Sequence, residues 1–201
     1  KHKLLRNLLK NLDYPVAAPS ANISSRLSSV KPSDVKEEFG SKIKYILNGG
    51  KSKIGVESTI LNLLEKPSLL RYGGLDTKKI ENVLKKKLLI NTNSKKKLSP
   101  GLFPLHYSPG IPLRVNVKKP KKDEAYLLIK KRKSKLKNYY YLSKMKNIDE
   151  AAKNLYSTLR KIKNDGFKKI AVEKIPNKGL GKTINDRLKR ASKYWWQILL
   201  K

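Results

Sequence analysis

Residues 91–110 divide this chain. Asn, Thr, Ser and Lys dominate the first part of that stretch, then Pro100-Gly101 and Pro104 break any regular element. At 201 residues the chain fits one domain of ordinary size or two small ones. The break favours two, with a linker between them.

Before the break, short apolar runs alternate with turn residues. Leu4, Leu5, Leu8, Leu9 and Leu12 form an amphipathic stripe that predicts a core-facing helix, not the continuous apolar region of a signal peptide. Residues 15–19, bounded by prolines, suit an edge strand or extended segment, and residues 20–25 a polar loop. Pro32-Ser33-Asp34 opens a helix with Ser33 as N-cap. Residues 43–47 read as a strand closed by Asn48-Gly49-Gly50, residues 55–63 as a loop entering a strand, and residues 69–74 as a strand ending in a glycine turn. Thr77 then caps a helix running to about residue 87.

Beyond the break, strands are predicted at 111–117, 125–129, 139–142 and 167–172, with helices at 148–164 and 183–193. Ala151, Ala152, Leu155, Leu159 and Ile162 share one stripe of the longer helix. Strands alternating with helices argue α/β architecture.

Charge constrains partners less than it first suggests. Lys plus Arg number 48 against 15 Asp plus Glu, a net +33 that invites nucleic acid. Forty of the 48 are lysine, spread along the whole chain, whereas phosphate and base recognition favours the arginine fork. Solvated lysine faces account for most of this charge. The absence of Cys excludes disulfides, thiolate metal sites and cysteine nucleophiles. No apolar run approaches the roughly 18–20 residues of a membrane span. The chain starts at Lys1 and its one Met is Met145, so it is expected to begin inside a larger domain.

Four polar clusters carry the chemistry. They are Ala17-Ala18-Pro19-Ser20-Ala21-Asn22, Gly55-Val56-Glu57-Ser58-Thr59, Arg71 before Gly73-Gly74, and His106-Tyr107. Small residues beside hydroxyls let a ligand approach the backbone, and a guanidinium suits phosphate. Each alone also has a structural explanation: turn formers, a cap, a surface ion pair, a packed histidine.

Together and in this order, Pro19-Ser20-Ala21-Asn22, Gly55-Val56-Glu57-Ser58-Thr59-Ile60 and Leu70-Arg71-Tyr72-Gly73 resemble the latter half of the YrdC-like domain. His106-Tyr107-Ser108-Pro109 resembles the linker of two-domain threonylcarbamoyl-adenylate synthases. Leu155-Tyr156, Leu159-Arg160, Gly179-Leu180-Gly181 and Asp186-Arg187-Leu188-Lys189-Arg190-Ala191 resemble that family's C-terminal accessory domain.

The resemblance implies an incomplete YrdC-like twisted α/β domain over residues 1–90, a linker at 91–110, and a small Rossmann-like α/β accessory domain at 111–201. It implies condensation of L-threonine, bicarbonate and ATP into threonylcarbamoyl-adenylate with release of pyrophosphate, in the cytoplasm. The product would pass to a tRNA-modifying transferase complex acting on adenosine 37. Ser20, Ser28, Arg71 and Tyr107 match nucleotide-holding positions, with Asn22 and His106 added. Ala18 and Ser58 match threonine-binding positions, with Thr59 added. No catalytic acid or base is assigned. Magnesium is expected with ATP, held mainly by phosphate oxygens and water, and no protein-bound structural metal is expected.

Departures from the family pattern bear on activity. Nothing here resembles the Lys/Arg motif that binds phosphate and threonine, so these residues alone are expected to be inactive. Ser24-Ser25 replaces Ser-Gly, Ser28-Ser29-Val30 replaces Ser-Pro-Thr, and Tyr72 replaces a proline. Two other readings stand beside this one. The first is an RNA-binding module, for tRNA or double-stranded RNA, using lysines and Tyr139-Tyr140-Tyr141. The second is a silent relative retained for partner contact, which the intact Ser20, Ser58 and Arg71 argue against.

Overall fold

The computed structural model describes residues 2–64, 66–92, 106–132 and 136–198, the side chains of 194–198 excepted. The proline-bearing middle of the expected linker, including Pro100-Gly101 and Pro104, lies outside the described residues. Two sheets organise the rest. The first has three strands, β1 (Ile60–Asn62), β2 (Ser68–Arg71) and β3 (Leu89–Ile90), in the order β1-β2-β3. β1 and β2 run antiparallel, and β3 pairs parallel with β2 after the helix that follows it.

The second sheet is wholly parallel. It contains β4 (Leu113–Arg114), β5 (Ala125–Lys130), β6 (Tyr139–Ser143) and β7 (Ile170–Val172), ordered β4-β7-β5-β6. A buried parallel strand reads as an apolar run, and Ala125 to Ile129 are buried without a break. The mixed α/β class with a parallel sheet is the one expected.

Five α-helices complete the described fold: α1 (Lys3–Lys10), α2 (Pro32–Phe39), α3 (Thr77–Leu84), α4 (Ile148–Asn164) and α5 (Gly181–Ile198). α4 falls where its periodicity places it. Asn147 caps it, with Oδ1 accepting from the Glu150 amide at 2.9 Å. Asp149 and Glu150 occupy its first turn and Lys161 and Lys163 its last, both favourable to the helix dipole. Its buried stripe, Ala151, Ala152, Leu155, Tyr156, Leu159 and Ile162, packs on the parallel sheet.

Several expectations are corrected. The leucine stripe does form helix α1, but Leu4, Leu5, Leu8 and Leu9 are exposed. Periodicity fixes which side chains share a face, not what that face meets. Residues 43–47 form no strand, because no described segment hydrogen-bonds beside them. Residues 15–19 are extended but unpaired. At α2 the cap is Lys31, not Ser33: Asp34 Oδ2 reaches back to the amides of Val30 (2.9 Å) and Lys31 (3.2 Å). At α3 the cap is Asp76, not Thr77, with Oδ1 accepting from Lys78 N at 3.1 Å.

One apolar cluster spans both halves. Leu27, Val30 and Tyr107 belong to the same buried group as Leu127, Leu142, Leu155 and Ile184, with Val56 packed against it. Polar contacts reinforce that union. Arg160 donates to the Leu27 carbonyl (2.6 Å), Thr183 Oγ1 to the Gly73 carbonyl (2.8 Å), and Arg190 to the Thr92 carbonyl (3.0 Å). Gly55, at φ +80°, lies so close that an added Cβ would strike the backbone of Lys153 in α4.

Candidate active site

Glu57 organises the cluster of expected site residues. Ser28 Oγ donates to its Oε1 at 2.5 Å. The Tyr156 hydroxyl from α4 lies 3.0 Å from both carboxylate oxygens, and Arg187 Nε from α5 donates to Oε2 at 3.0 Å. Tyr156 and Arg187 are 0% and 1% exposed and the Glu57 side chain 15%, so a largely sheltered carboxylate meets a fully buried guanidinium. Burial pushes the Glu57 carboxyl upward, but the Arg187 guanidinium and the hydrogen bonds from Ser28 and Tyr156 outweigh it. The net direction is below the ordinary glutamate value.

Arg187 is fully used. Beyond Glu57 it donates to Asp186 Oδ2 (2.6 Å) and to the Tyr72 carbonyl (2.7 Å), and its guanidinium carbon lies 4.4 Å from the Tyr107 ring centre. Tyr107 stacks in turn on Tyr156, centroids 5.9 Å apart and 14° from parallel. The Tyr107 backbone sits at φ +62°, a conformation that bulky residues rarely adopt, and its ring is 1% exposed. Ser108 N binds the Ser25 carbonyl at 2.8 Å, pinning this segment to the loop ahead of Ser28. Ser25 stands at φ +68° where the family pattern has glycine.

The residue after Glu57 meets the arginine. Arg71 donates through Nε to the Ser58 carbonyl and through its terminal nitrogen to Ser58 Oγ, both at 3.1 Å. Ser58 is exposed while Arg71 is 9% exposed, so an anchored guanidinium presents an open hydroxyl. A cleft of about 740 Å³ opens beside Glu57, Ser58 and Thr59, walled by Ile54, Leu61 and Ile80.

The remaining expected residues take different positions. Thr59 serves the chain's own backbone: its hydroxyl donates to the Leu75 carbonyl (2.8 Å) and accepts from the Leu75 amide (3.2 Å). His106 Nδ1 accepts from the Tyr107 amide at 3.0 Å. Its pKa is lowered by burial and by Arg187, Arg190 and Arg71 against a raising contribution from Glu57. Asn22 donates to the carbonyls of Ile23 and Arg26, while its Oδ1 is buried without a hydrogen-bond partner. That orphaned acceptor is suited to a donor on a ligand. Ala18 and Ser20 are exposed; the Ser20 carbonyl accepts from the Asn22 amide at 2.9 Å, and Ser29 Oγ donates to the Ala21 carbonyl at 2.7 Å.

Glu57, Tyr156 and Arg187 carry this geometry, yet none was assigned a role in the site, although Glu57 lies within one of the four polar clusters. The available signal was an acid inside a cluster of hydroxyls, in a chain with only 15 acids. Its partners lie 99 and 130 residues away, beyond any local pattern.

Comparisons with known proteins follow the same lines. Residues 75–193 match the family described as threonylcarbamoyl-AMP synthase, C-terminal domain, and residues 1–73 match one described as telomere recombination. The chain is 33% identical to the threonylcarbamoyl-AMP synthase of Pyrococcus abyssi, covering 96% of this chain and 62% of that protein. The Bacillus subtilis synthase is 29% identical, covering 95% and 61%. The crystal structure of P. abyssi Sua5 complexed with L-threonine superposes with a TM-score of 0.82 at 31% identity, covering 96% of this chain and 62% of that one. A P. abyssi Sua5 in which a neighbouring histidine and tyrosine are both replaced by alanine gives 0.77 at 31%, covering 96% and 61%. The chain thus spans about 62% of the length of the first relative.

Proposed function

The chain belongs to the threonylcarbamoyl-AMP synthase family, and on that premise we propose that its residues build part of a site joining L-threonine, bicarbonate and ATP. In that reaction the threonine nitrogen takes a carboxyl from bicarbonate with loss of water. The resulting carbamate oxygen attacks the α-phosphorus, and pyrophosphate leaves. One observation carries the reading: Arg71, matched to the phosphates, grips Ser58, matched to threonine. The two substrates therefore meet at one hydrogen-bonded pair.

Role follows from chemistry. Arg71 opposes phosphate charge and Ser58 Oγ offers a hydrogen bond to threonine's carboxylate or hydroxyl. Ser28, Ser20 and Asn22 line the nucleotide side, with Ala18 and Thr59 on the threonine side. His106 and Tyr107, the one adjacent His-Tyr pair in this chain, complete the nucleotide side. No side chain is assigned as acid, base or covalent nucleophile, and the proton lost from threonine's ammonium passes to solvent; the site screens charge and fixes geometry. Among the described residues no group of three His, Asp or Glu could hold a metal, so magnesium would arrive with ATP.

Residues 1–90 serve the catalytic domain, 91–110 the linker and 111–201 an accessory domain docked through Glu57. The adenylate would pass to a tRNA-modifying transferase complex, with tRNA contact by this chain as part of delivery. No helix among the described residues is long and apolar enough to cross a membrane. The cytoplasm, where tRNA is modified, is the place of work this reading assigns.

Titration calorimetry tests the assignment on the chain joined to a family segment bearing the Lys/Arg motif. Ser58→Ala is expected to weaken threonine and spare ATP, and Arg71→Met to weaken ATP. The reverse pattern, or no effect of either, overturns it.

A further inference from the structure

The reaction leaves one face of the parallel sheet unused. α4 and α5 pack on the face that carries Leu127, Leu142 and Val172. The opposite face holds a small cluster of Tyr126, Leu128 and Ala171, with Val117 and Tyr139 against it and no described helical residue. Tyr139 and Tyr141 pair across the ladder with Tyr126 and Leu128, and strand alternation places all four on this face. Tyr126 and Tyr139 meet edge to face at 5.4 Å. The Tyr126 hydroxyl is spent on the carbonyls of Val117 and Lys118. Tyr141 is 38% exposed, with the Lys131 ammonium 5.6 Å from its ring centre.

Beside these rings runs a groove of about 490 Å³ lined by Lys118, Lys119, Lys121, Lys122, Arg132 and Tyr139. The neighbouring carboxylates are already engaged: Asp123 with Lys169, Glu124 with Arg114, and Glu173 with Arg132. None of the groove's four lysines pairs with a carboxylate among the described residues. Lysine runs occur elsewhere in the chain too, as at Lys85-Lys86-Lys87. What sets this one apart is its place: it lines a groove against aromatic rings, with no carboxylate partner among the described residues.

We propose that this face binds single-stranded RNA, the lysines holding the phosphodiester backbone while Tyr139 and Tyr141 stack on unpaired bases. Aromatic faces interleaved with cations are the chemistry of sequence-tolerant single-strand binding. A paired helix would bury its bases away from the rings. An anionic lipid surface is less suited, since among the described residues Leu136 is the one exposed aliphatic side chain lining the groove and membrane docking uses a broad apolar face. The inference does not rest on the adenylate-forming reading and stands or falls apart from it.

Fluorescence anisotropy of a labelled 12-nucleotide unpaired RNA across a salt series, with the whole chain, tests it. Replacing all four groove lysines with glutamine is expected to flatten the log K against log salt slope by about 3. Tyr141→Ala is expected to weaken binding at least about fivefold with the slope unchanged. Lys85, Lys86 and Lys87 changed together to glutamine should leave binding within about twofold. The proposal is overturned if that control weakens binding as much as the groove variant, because attraction is then diffuse. It is also overturned if Tyr141→Ala binds like the parent while keeping its melting temperature, or if phosphatidylserine vesicles compete and duplex and single-stranded RNA bind equally.

Discussion

Arg187 Nε donates to Glu57 Oε2 at 3.0 Å across 130 residues of chain, the guanidinium buried and the carboxylate largely so. Glu57 stands directly before Ser58, so the bond ties α5 to the expected threonine side of the site. Removing one partner of such a pair strands the other. Glu57→Ala is expected to destabilise the chain by about 3–5 kcal/mol in urea unfolding. Glu57→Ala with Arg187→Met should recover much of that loss, and a double variant no better than the single would contradict the pairing.

The same pair sets an acid response. The Glu57 pKa is lowered in the folded chain, so its stabilisation is complete above the ordinary glutamate value of about 4.3. It is lost as pH falls from there through the folded value. Melting temperature against pH should therefore drop more steeply below about pH 4.3 in the parent than in Glu57→Gln.

Gly55 tests the contact by sterics. Its φ of +80° and the Lys153 backbone against its Cα leave no room for a methyl group. Gly55→Ala is expected to cost about 2 kcal/mol or more, adding a clash to the backbone strain. Gly40, at φ +54° with open space around it, should cost about 1 kcal/mol when replaced by alanine. Equal losses at the two positions would argue against the close approach of α4.

Arg71 tests geometry rather than charge. Its planar fork meets Ser58 at two atoms, which an ammonium cannot reproduce. Arg71→Lys is expected to weaken ATP about tenfold or more, the loss of one charge-assisted hydrogen bond. Calorimetry showing parent affinity would remove Arg71 from the site.

What the sequence disclosed follows from how local each signal is. α4 was legible because a polar cap, an acidic first turn and a five-residue apolar stripe all lie within one segment, and Tyr156 joins that stripe once folded. β5 was legible as an unbroken apolar run. The fate of the α1 leucines was not, since a stripe does not say what it packs against. The strand expected at 43–47 failed for a related reason: a strand is a property of two segments. Within the site, Ser58 and Arg71 were visible as motif residues, while the bonds of the Thr59 hydroxyl to the Leu75 backbone were not. Glu57 stayed hidden because Tyr156 and Arg187 reach it only after folding. Charge misled in a similar way, since eight of the ten described ion pairs use arginine although lysine is far commoner.

Pyrophosphate release from ATP with L-threonine and bicarbonate measures the central claim most directly. The account predicts none from the 201 residues alone. It predicts threonine- and bicarbonate-dependent release once a segment bearing the Lys/Arg motif is supplied, lost in Arg71→Met. A folded assembly that releases no pyrophosphate, or releases it as fast without threonine or without Arg71, would contradict it.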